Sequence, residues 1–341
     1  MLVTARFDER ELARLEAVAG PARRAGYGVT GDRLAPDELA AHLADVDLLV
    51  VEYEHVTAAV LGAASRLRLL ACGRNEPEAS IDIAAGSALG IPLVYAPGRN
   101  AVAVAEYTLG LMLSVSRHIA DAHFRLRHTR ELTDAGRAAR EVTSEWSLEP
   151  GAPFSRLQGP ELYGRTVGLV GLGRIGREVA RRCLALGKEI VAFDPYARPE
   201  PGVRSASLLE TAAAADFLVL AARVTPETAG LVSAVVLATL KSTAYFVNAA
   251  RAALADYDAL IEALRDRRIA GAALDVYPLE PLPPDSPLLE LDNVVLSPHL
   301  AGASVDVPRH HSREVTDDLL LALRGERPNH LANPQVWGRR R

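Results

Sequence analysis

Short apolar runs alternate along almost the whole chain with stretches in which apolar residues recur every three or four positions. The first pattern predicts buried strands and the second predicts amphipathic helices; their alternation predicts parallel sheets covered on both faces. Strands are expected at Leu2–Ala5, Asp47–Val51, Leu67–Cys72 and Pro92–Val94, with helices near Asp8–Ala19, Pro36–Leu43, Ala58–Ala64 and Ile81–Leu89. The turn cluster Pro97-Gly98-Arg99-Asn100 follows, then a stretch from Ala101 to about Arg127 that is helical by composition. Val102, Val104, Leu109, Leu111, Met112, Leu113 and Val115 surround its axis. A helix apolar on all sides is expected to be buried on all sides, here between its own domain and a second copy of the chain.

A second alternating series runs through Val167–Val170, Ile190–Phe193, Asp216–Ala221, Ala244–Asn248, Gly271–Val276 and Asn293–Ser297, predicting six parallel strands. Helices are expected near Ser207–Ala213, Ser233–Leu240 and Asp256–Arg267. A last helix, about Val305 to Leu323, would cross back to complete the first unit. Arg127 to Tyr163 has few periodic apolar positions and reads as an irregular excursion.

The stretch V-G-L-V-G-L-G-R-I-G from Val167 to Gly176 joins a strand to an expected helix on which Ile175, Val179, Cys183 and Leu186 fall on one face. The next strand ends in Asp194, eighteen residues after Gly176. Gly171 permits a tight turn, Gly173 lets the backbone approach a pyrophosphate, and Gly176 lets helix and strand pack closely. The helix N-terminus adds partial positive charge under the anion. Asp194 suits a ribose diol and would repel a 2′-phosphate, which favours NAD over NADP. Gly171, Gly173, Arg174, Ile175, Gly176 and Asp194 are the expected cofactor positions. The expected fold class is α/β with two doubly wound parallel-sheet domains. A Rossmann NAD-binding domain, residues 100–302, is inserted in a flavodoxin-like substrate domain made of residues 1–99 and 303–341.

Composition narrows the function. A net charge of −5 and 5% aromatic residues leave no basic footprint for nucleic acid. No apolar run reaches spanning length, so no membrane partner is expected and a cytoplasmic location is. Cys72 and Cys183 are the only cysteines and make no disulfide framework. His118, His123 and His128 are five apart, and His310 and His311 are adjacent; neither spacing puts imidazoles on one helix face, so no metal site is expected.

Three polar groups follow strand ends in the second series: Arg251, Glu280 and His299. In a parallel sheet all three would leave from the same edge. Oxidising an alcohol needs a proton acceptor while hydride departs, and histidine suits that task near neutrality. A carboxylate on its other ring nitrogen would orient it. An arginine can hold a substrate carboxylate through two hydrogen bonds and polarise the neighbouring carbonyl.

These motifs resemble the D-isomer-specific 2-hydroxyacid dehydrogenases, which include phosphoglycerate and hydroxypyruvate/glyoxylate dehydrogenases. The resemblance runs from about Asp47 to Pro334. It is carried by P-G-R-N-A-V-A-V-A-E-Y-T-L-G-L-M-L (97–113), V-G-L-V-G-L-G-R-I-G (167–176), V-N-A-A-R (247–251), G-A-A-L-D-V-Y-P-L-E-P-L-P (271–283) and S-P-H-L-A-G (297–302). It implies that His299 is the acid/base, Glu280 its partner and Arg251 the carboxylate anchor. It further implies that Asp275 meets the nicotinamide carboxamide, that Thr225 lies in the cofactor cleft, and that a homodimer forms through the NAD-binding domain. Where many members carry a glycine-rich loop that grips the substrate carboxylate, this chain has Gly73-Arg74-Asn75-Glu76-Pro77-Glu78. Ala221, Arg223 and Ala252 are further departures. Arg74 and Asn75 are the substrate-binding candidates there. Glu52, Glu54, Glu76 and Glu78 outweigh Arg74, so glyoxylate or hydroxypyruvate fits as well as or better than 3-phosphoglycerate. The expected activity is NAD-dependent interconversion of a D-2-hydroxy acid and its 2-oxo acid. The alternative is an NAD-sensing binding protein without turnover, which would need only the glycine loop and Asp194.

Overall fold

The apolar runs pair as parallel strands because an intervening helix or loop returns the chain to the same edge each time. A computed structural model describes residues 1–129, 153–198 and 200–338. Internal packing divides the chain into one unit of Met1–Asn100 with Ala303–Arg341 and another of Ala101–Gly302.

The first unit holds β1 (Leu2–Val3), β2 (Arg23–Arg24), β3 (Leu48–Val51), β4 (Leu69–Cys72) and β5 (Leu93–Tyr95). They lie in the order β2-β1-β3-β4-β5, all parallel, which is the flavodoxin-like order. β3 and β4 are buried throughout. Leu39, Leu43 and Leu61 cover one face. Leu15 of the Glu9–Ala19 helix and Val315 and Leu319 of the Val307–Leu323 helix cover the other. The chain's last helix thus completes this unit, beginning two residues later than the sequence pattern predicts.

The second unit holds β6 (Thr166–Val170), β7 (Glu189–Phe193), β8 (Val203–Ser205), β9 (Phe217–Leu220), β10 (Tyr245–Asn248), β11 (Gly271–Leu274) and β12 (Val294–Leu296). Their order is β12-β11-β10-β9-β6-β7-β8, all parallel. Connections run outward on both sides of β6, so the order reverses between β6 and β9. Ligands bind at the carboxyl ends of strands beside such a reversal.

Two expectations change. The sheet of the second unit has seven strands rather than six, because β8 adds an edge strand; β2 adds one to the first unit. Both are two or three residues long and mostly exposed, so neither carries an apolar run. The helix expected to reach Arg127 ends at Ser116. His118 takes a left-handed backbone (φ 54°), and a separate helix runs from Ile119 to Phe124. Within one chain the long helix is buried on the side that faces its own sheet. Val104, Ala105, Thr108, Leu111, Met112 and Val115 face inward, while Leu113 is exposed and Val102 and Leu109 are half-buried. Most of the Arg127–Tyr163 excursion, from 130 to 152, lies outside the described residues.

Candidate active site

β6 delivers the chain into the glycine loop. Gly171 has φ +102°, and a Cβ there would stand 2.6 Å from Ala222 N. A Cβ on Gly176 would stand 2.3 Å from Gly171 O. Both positions are glycine because backbone lies where a side chain would go. Gly173 differs: it opens the Arg174–Ala185 helix, and a Cβ on it would meet nothing within 4 Å. No side chain caps this helix, so its first N–H groups face the same open side. An open cradle over a helix N-terminus fits a pyrophosphate. Arg174 is exposed and Ile175 half-buried beside it.

Asp194 follows β7 and already has donors. It accepts from Leu172 N (2.8 Å), Tyr196 N (2.9 Å) and Ala197 N (3.0 Å). Burial alone would raise this carboxyl; the three N–H groups outweigh it and hold the acid below its usual range. Asp194 therefore braces the glycine loop and stays ionised beside it. Thr225 opens a turn after β9 that Thr228 closes, its N–H donating to Thr228 Oγ1 at 2.7 Å.

The next three strands carry the polar groups. Arg251 is exposed just beyond β10, and Asn248 holds its turn, donating to Arg251 O (3.0 Å) and accepting from Ala250 N (3.0 Å). Glu280 follows β11. Its Oε1 accepts from Tyr277 N (3.0 Å), and its Oε2 lies 2.6 Å from His299 Nδ1, on the turn after β12. A carboxylate only accepts, so Nδ1 carries the donated proton and Nε2 points away as the exchangeable site. Burial would raise the Glu280 carboxyl; His299 and the Tyr277 N–H outweigh it, and Arg251 adds its charge, so the acid lies below its usual range. The three residues thus meet electrostatically at one sheet edge.

Asp275 sits beneath them, wholly buried. It accepts from Ser297 Oγ (2.6 Å), Leu300 N (2.8 Å) and Ala301 N (2.8 Å), while its backbone O accepts from His299 N (2.9 Å). His299 itself has φ 55°, a backbone that this turn must enforce. Tyr277 OH lies 2.9 Å from Ser297 O and 3.0 Å from Leu274 O, pinning the same turn.

In the first unit, Arg74 lies 5.1 Å over the Tyr53 ring. Asn75 is committed to the chain's own turn: Oδ1 accepts from Gly98 N (2.7 Å) and Arg99 N (3.1 Å), and Nδ2 donates to Asn100 Oδ1 (2.9 Å). Sequence reasoning missed the neighbouring cluster. Arg99 Nη1 pairs with Glu52 Oε1 at 2.5 Å, donates to Gly73 O at 2.8 Å and lies 3.3 Å from His311 Nδ1. His311 is fully buried and its Nε2 is 2.6 Å from Arg6 O. Burial holds its imidazole below the usual range, hence neutral, with Nε2 the donor. Only the burial of Glu52 and His311, which the sequence does not display, marks this cluster. Among the described residues no group of three or more His, Cys, Asp or Glu is placed to hold a metal ion, and no helix is long and apolar enough to cross a membrane.

The sequence profile of the D-isomer specific 2-hydroxyacid dehydrogenase NAD binding domain matches residues 109–301. The chain is 35% identical over 306 residues to a glyoxylate reductase of Thermofilum pendens, covering 88% of this chain and 85% of that one. It is 38% identical over 296 residues to the D-3-phosphoglycerate dehydrogenase of Mycobacterium tuberculosis, covering 85% of this chain but 52% of that one. The chain thus spans about half the length of that phosphoglycerate dehydrogenase. Among solved structures, an NADPH-dependent glyoxylate/hydroxypyruvate reductase of Sinorhizobium meliloti in complex with citrate superposes with a TM-score of 0.74 at 30% identity, covering 100% of this chain and 99% of that one. The chain belongs to the D-isomer-specific 2-hydroxyacid dehydrogenase family, NAD(P)-dependent oxidoreductases of 2-hydroxy acids.

Proposed function

We propose that the protein interconverts a small D-2-hydroxy acid and its 2-oxo acid, with NAD(H) preferred over NADP(H). The reading is carried by the 2.6 Å contact between His299 Nδ1 and Glu280 Oε2 beside Arg251. When bound, NAD(H) would supply or accept the hydride; the loop Gly171–Gly176 would hold its pyrophosphate and Asp194 its ribose, with Thr225 a further contact and the buried Asp275 acting through the turn it shapes. Arg251 binds the substrate carboxylate and polarises the carbonyl next to it. In the oxidative direction His299 Nε2 takes the hydroxyl proton; in the reductive direction it returns one to the carbonyl oxygen. Glu280 fixes the ring and stabilises the imidazolium that forms between these events. Asp275 enforces the strained turn under His299.

The charge of the first unit favours a substrate without a phosphate. Arg99 is neutralised by Glu52, and its other guanidinium nitrogen donates to Tyr53 OH at 3.1 Å. Arg74, stacked on the same ring, is the proposed substrate contact there, with Asn75 ordering the turn behind it. Glyoxylate and hydroxypyruvate fit this balance. The exposed side of the Ala101–Ser116 helix, around Leu113, is the proposed contact with a second copy in a homodimer.

A panel of 2-oxo acids, phosphorylated and not, assayed with NADH and with NADPH tests the assignment. Turnover of small unphosphorylated acids with NADH supports it. NADH binding with no turnover of any acid overturns it and leaves a dinucleotide sensor.

A further inference from the structure

We propose that Tyr257 is a positioning residue for Arg251, its hydroxyl fixing the arginine's turn against the turns that carry Glu280 and His299. The inference rests on the catalytic reading above. Tyr257 opens the Tyr257–Arg265 helix and is buried beneath the sheet edge. Its OH donates to Val276 O at 2.6 Å and accepts from Asn248 Nδ2 at 3.3 Å. The same Asn248 amide nitrogen donates to Arg251 O at 3.0 Å. Val276 stands between Asp275, which shapes the His299 turn, and Tyr277, whose N–H donates to Glu280. One hydroxyl therefore links the end of β10 to the end of β11.

The link uses both capacities of the hydroxyl, one hydrogen given and one lone pair filled. Burial pushes the Tyr257 phenol well above its usual range, so the donated hydrogen is present at any working pH. Phenylalanine would keep the ring in the core while leaving Val276 O without this donor and Asn248 Nδ2 without this acceptor. Arg251 sits on a loop, and a loop-borne anchor reaches the substrate only if its turn is held in place. Misplacement by about 1 Å can cost on the order of a hundredfold in rate.

The test is a double-mutant cycle on the full chain, with glyoxylate and hydroxypyruvate as probes at saturating NADH. Tyr257→Phe is expected to lower kcat/KM by about tenfold or more, mainly through KM, with NADH affinity and the shape of the pH profile unchanged. In an Arg251→Lys background, where the bidentate grip is already gone, Tyr257→Phe should cost about twofold or less. Asn248→Ser cuts the same link from its other end and should show the same dependence on Arg251, which covers the case of a Tyr257→Phe chain that does not fold. An equal loss in both backgrounds overturns the inference alone. An Arg251→Lys enzyme that works like wild type overturns the catalytic reading and the inference with it.

Discussion

His299 Nδ1 lies 2.6 Å from Glu280 Oε2 although the two residues are nineteen positions apart, on turns that leave different strands. Parallel neighbours β11 and β12 end at the same edge, so the sheet brings the turns together. Asp275 and Tyr277 then fix the His299 turn from below. The acid that bonds the imidazole is thus held by the same short stretch, 275–280, that shapes the imidazole's backbone.

Replacing Glu280 by Gln removes the charge but keeps an acceptor. Turnover in Glu280→Gln should fall by roughly 10- to 100-fold, the range in which misoriented acid/base groups lose efficiency. The Glu280 carboxyl is held below its usual value, so it stays an ionised acceptor above that value and is protonated as pH falls through the lowered one. For reduction of the oxo acid, a kcat profile carried into acid should show a falling limb in wild type that is missing in Glu280→Gln.

Gly173 and Gly176 separate folding from cofactor binding. Gly176→Ala puts a methyl against Gly171 O and should lower Tm as well as NADH affinity. Gly173→Ala meets no atom of the chain, so it should melt like wild type while losing about tenfold or more in NADH affinity. Thermal melts with NADH titrations check both. Unchanged NADH binding in Gly173→Ala would move the pyrophosphate elsewhere.

We propose two jobs for Asp194: bracing Leu172 N, from which it accepts at 2.8 Å, and repelling a 2′-phosphate. Asp194→Ala should weaken NADH by roughly 10-fold or more, as hydrogen bonds to a charged group are lost, and weaken NADPH less. Fluorescence titration with both cofactors gives the ratio. If NADH and NADPH fall by the same factor, Asp194 braces the loop without selecting the cofactor.

Lys188 is a stability liability away from the site. It is 4% exposed, its Nζ lies 4.4 Å from the Phe217 ring centroid and makes no hydrogen bond among the described residues. Burial pushes the ammonium down to about 8. An unfolded chain keeps that proton up to its ordinary value near 10.5, so it binds more protons than the fold between about 8 and 10.5. Stability should therefore rise with pH across that window, and the cost is full below it. Lys188→Met should gain about 2 kcal/mol at pH 7 and lose that rise, as read by denaturant melts at several pH values.

The nucleotide loop was legible because its signals are local: strand, glycines, helix and acid follow one another within one stretch of chain. Arg251, Glu280 and His299 could be placed at one edge because each directly follows an apolar run in an alternating series. β2 and β8 escaped because an edge strand of exposed residues is defined by its neighbour's free edge, not by its own pattern. The break at His118 carries no glycine or proline to announce it. The struts Tyr257 and Tyr277 escaped because each reaches a backbone carbonyl beyond another strand, Val276 O and Ser297 O, set by tertiary packing alone. For the same reason Asn75, a polar loop residue by sequence, proves to be bound up in the 98–100 turn.

The most direct measurement is paired: steady-state reduction of glyoxylate and hydroxypyruvate by His299→Asn, and NADH affinity of the same protein by fluorescence titration. If His299 exchanges the proton, turnover falls by about a thousandfold while NADH binds almost as in wild type. Turnover near the wild-type rate with NADH still bound would contradict it.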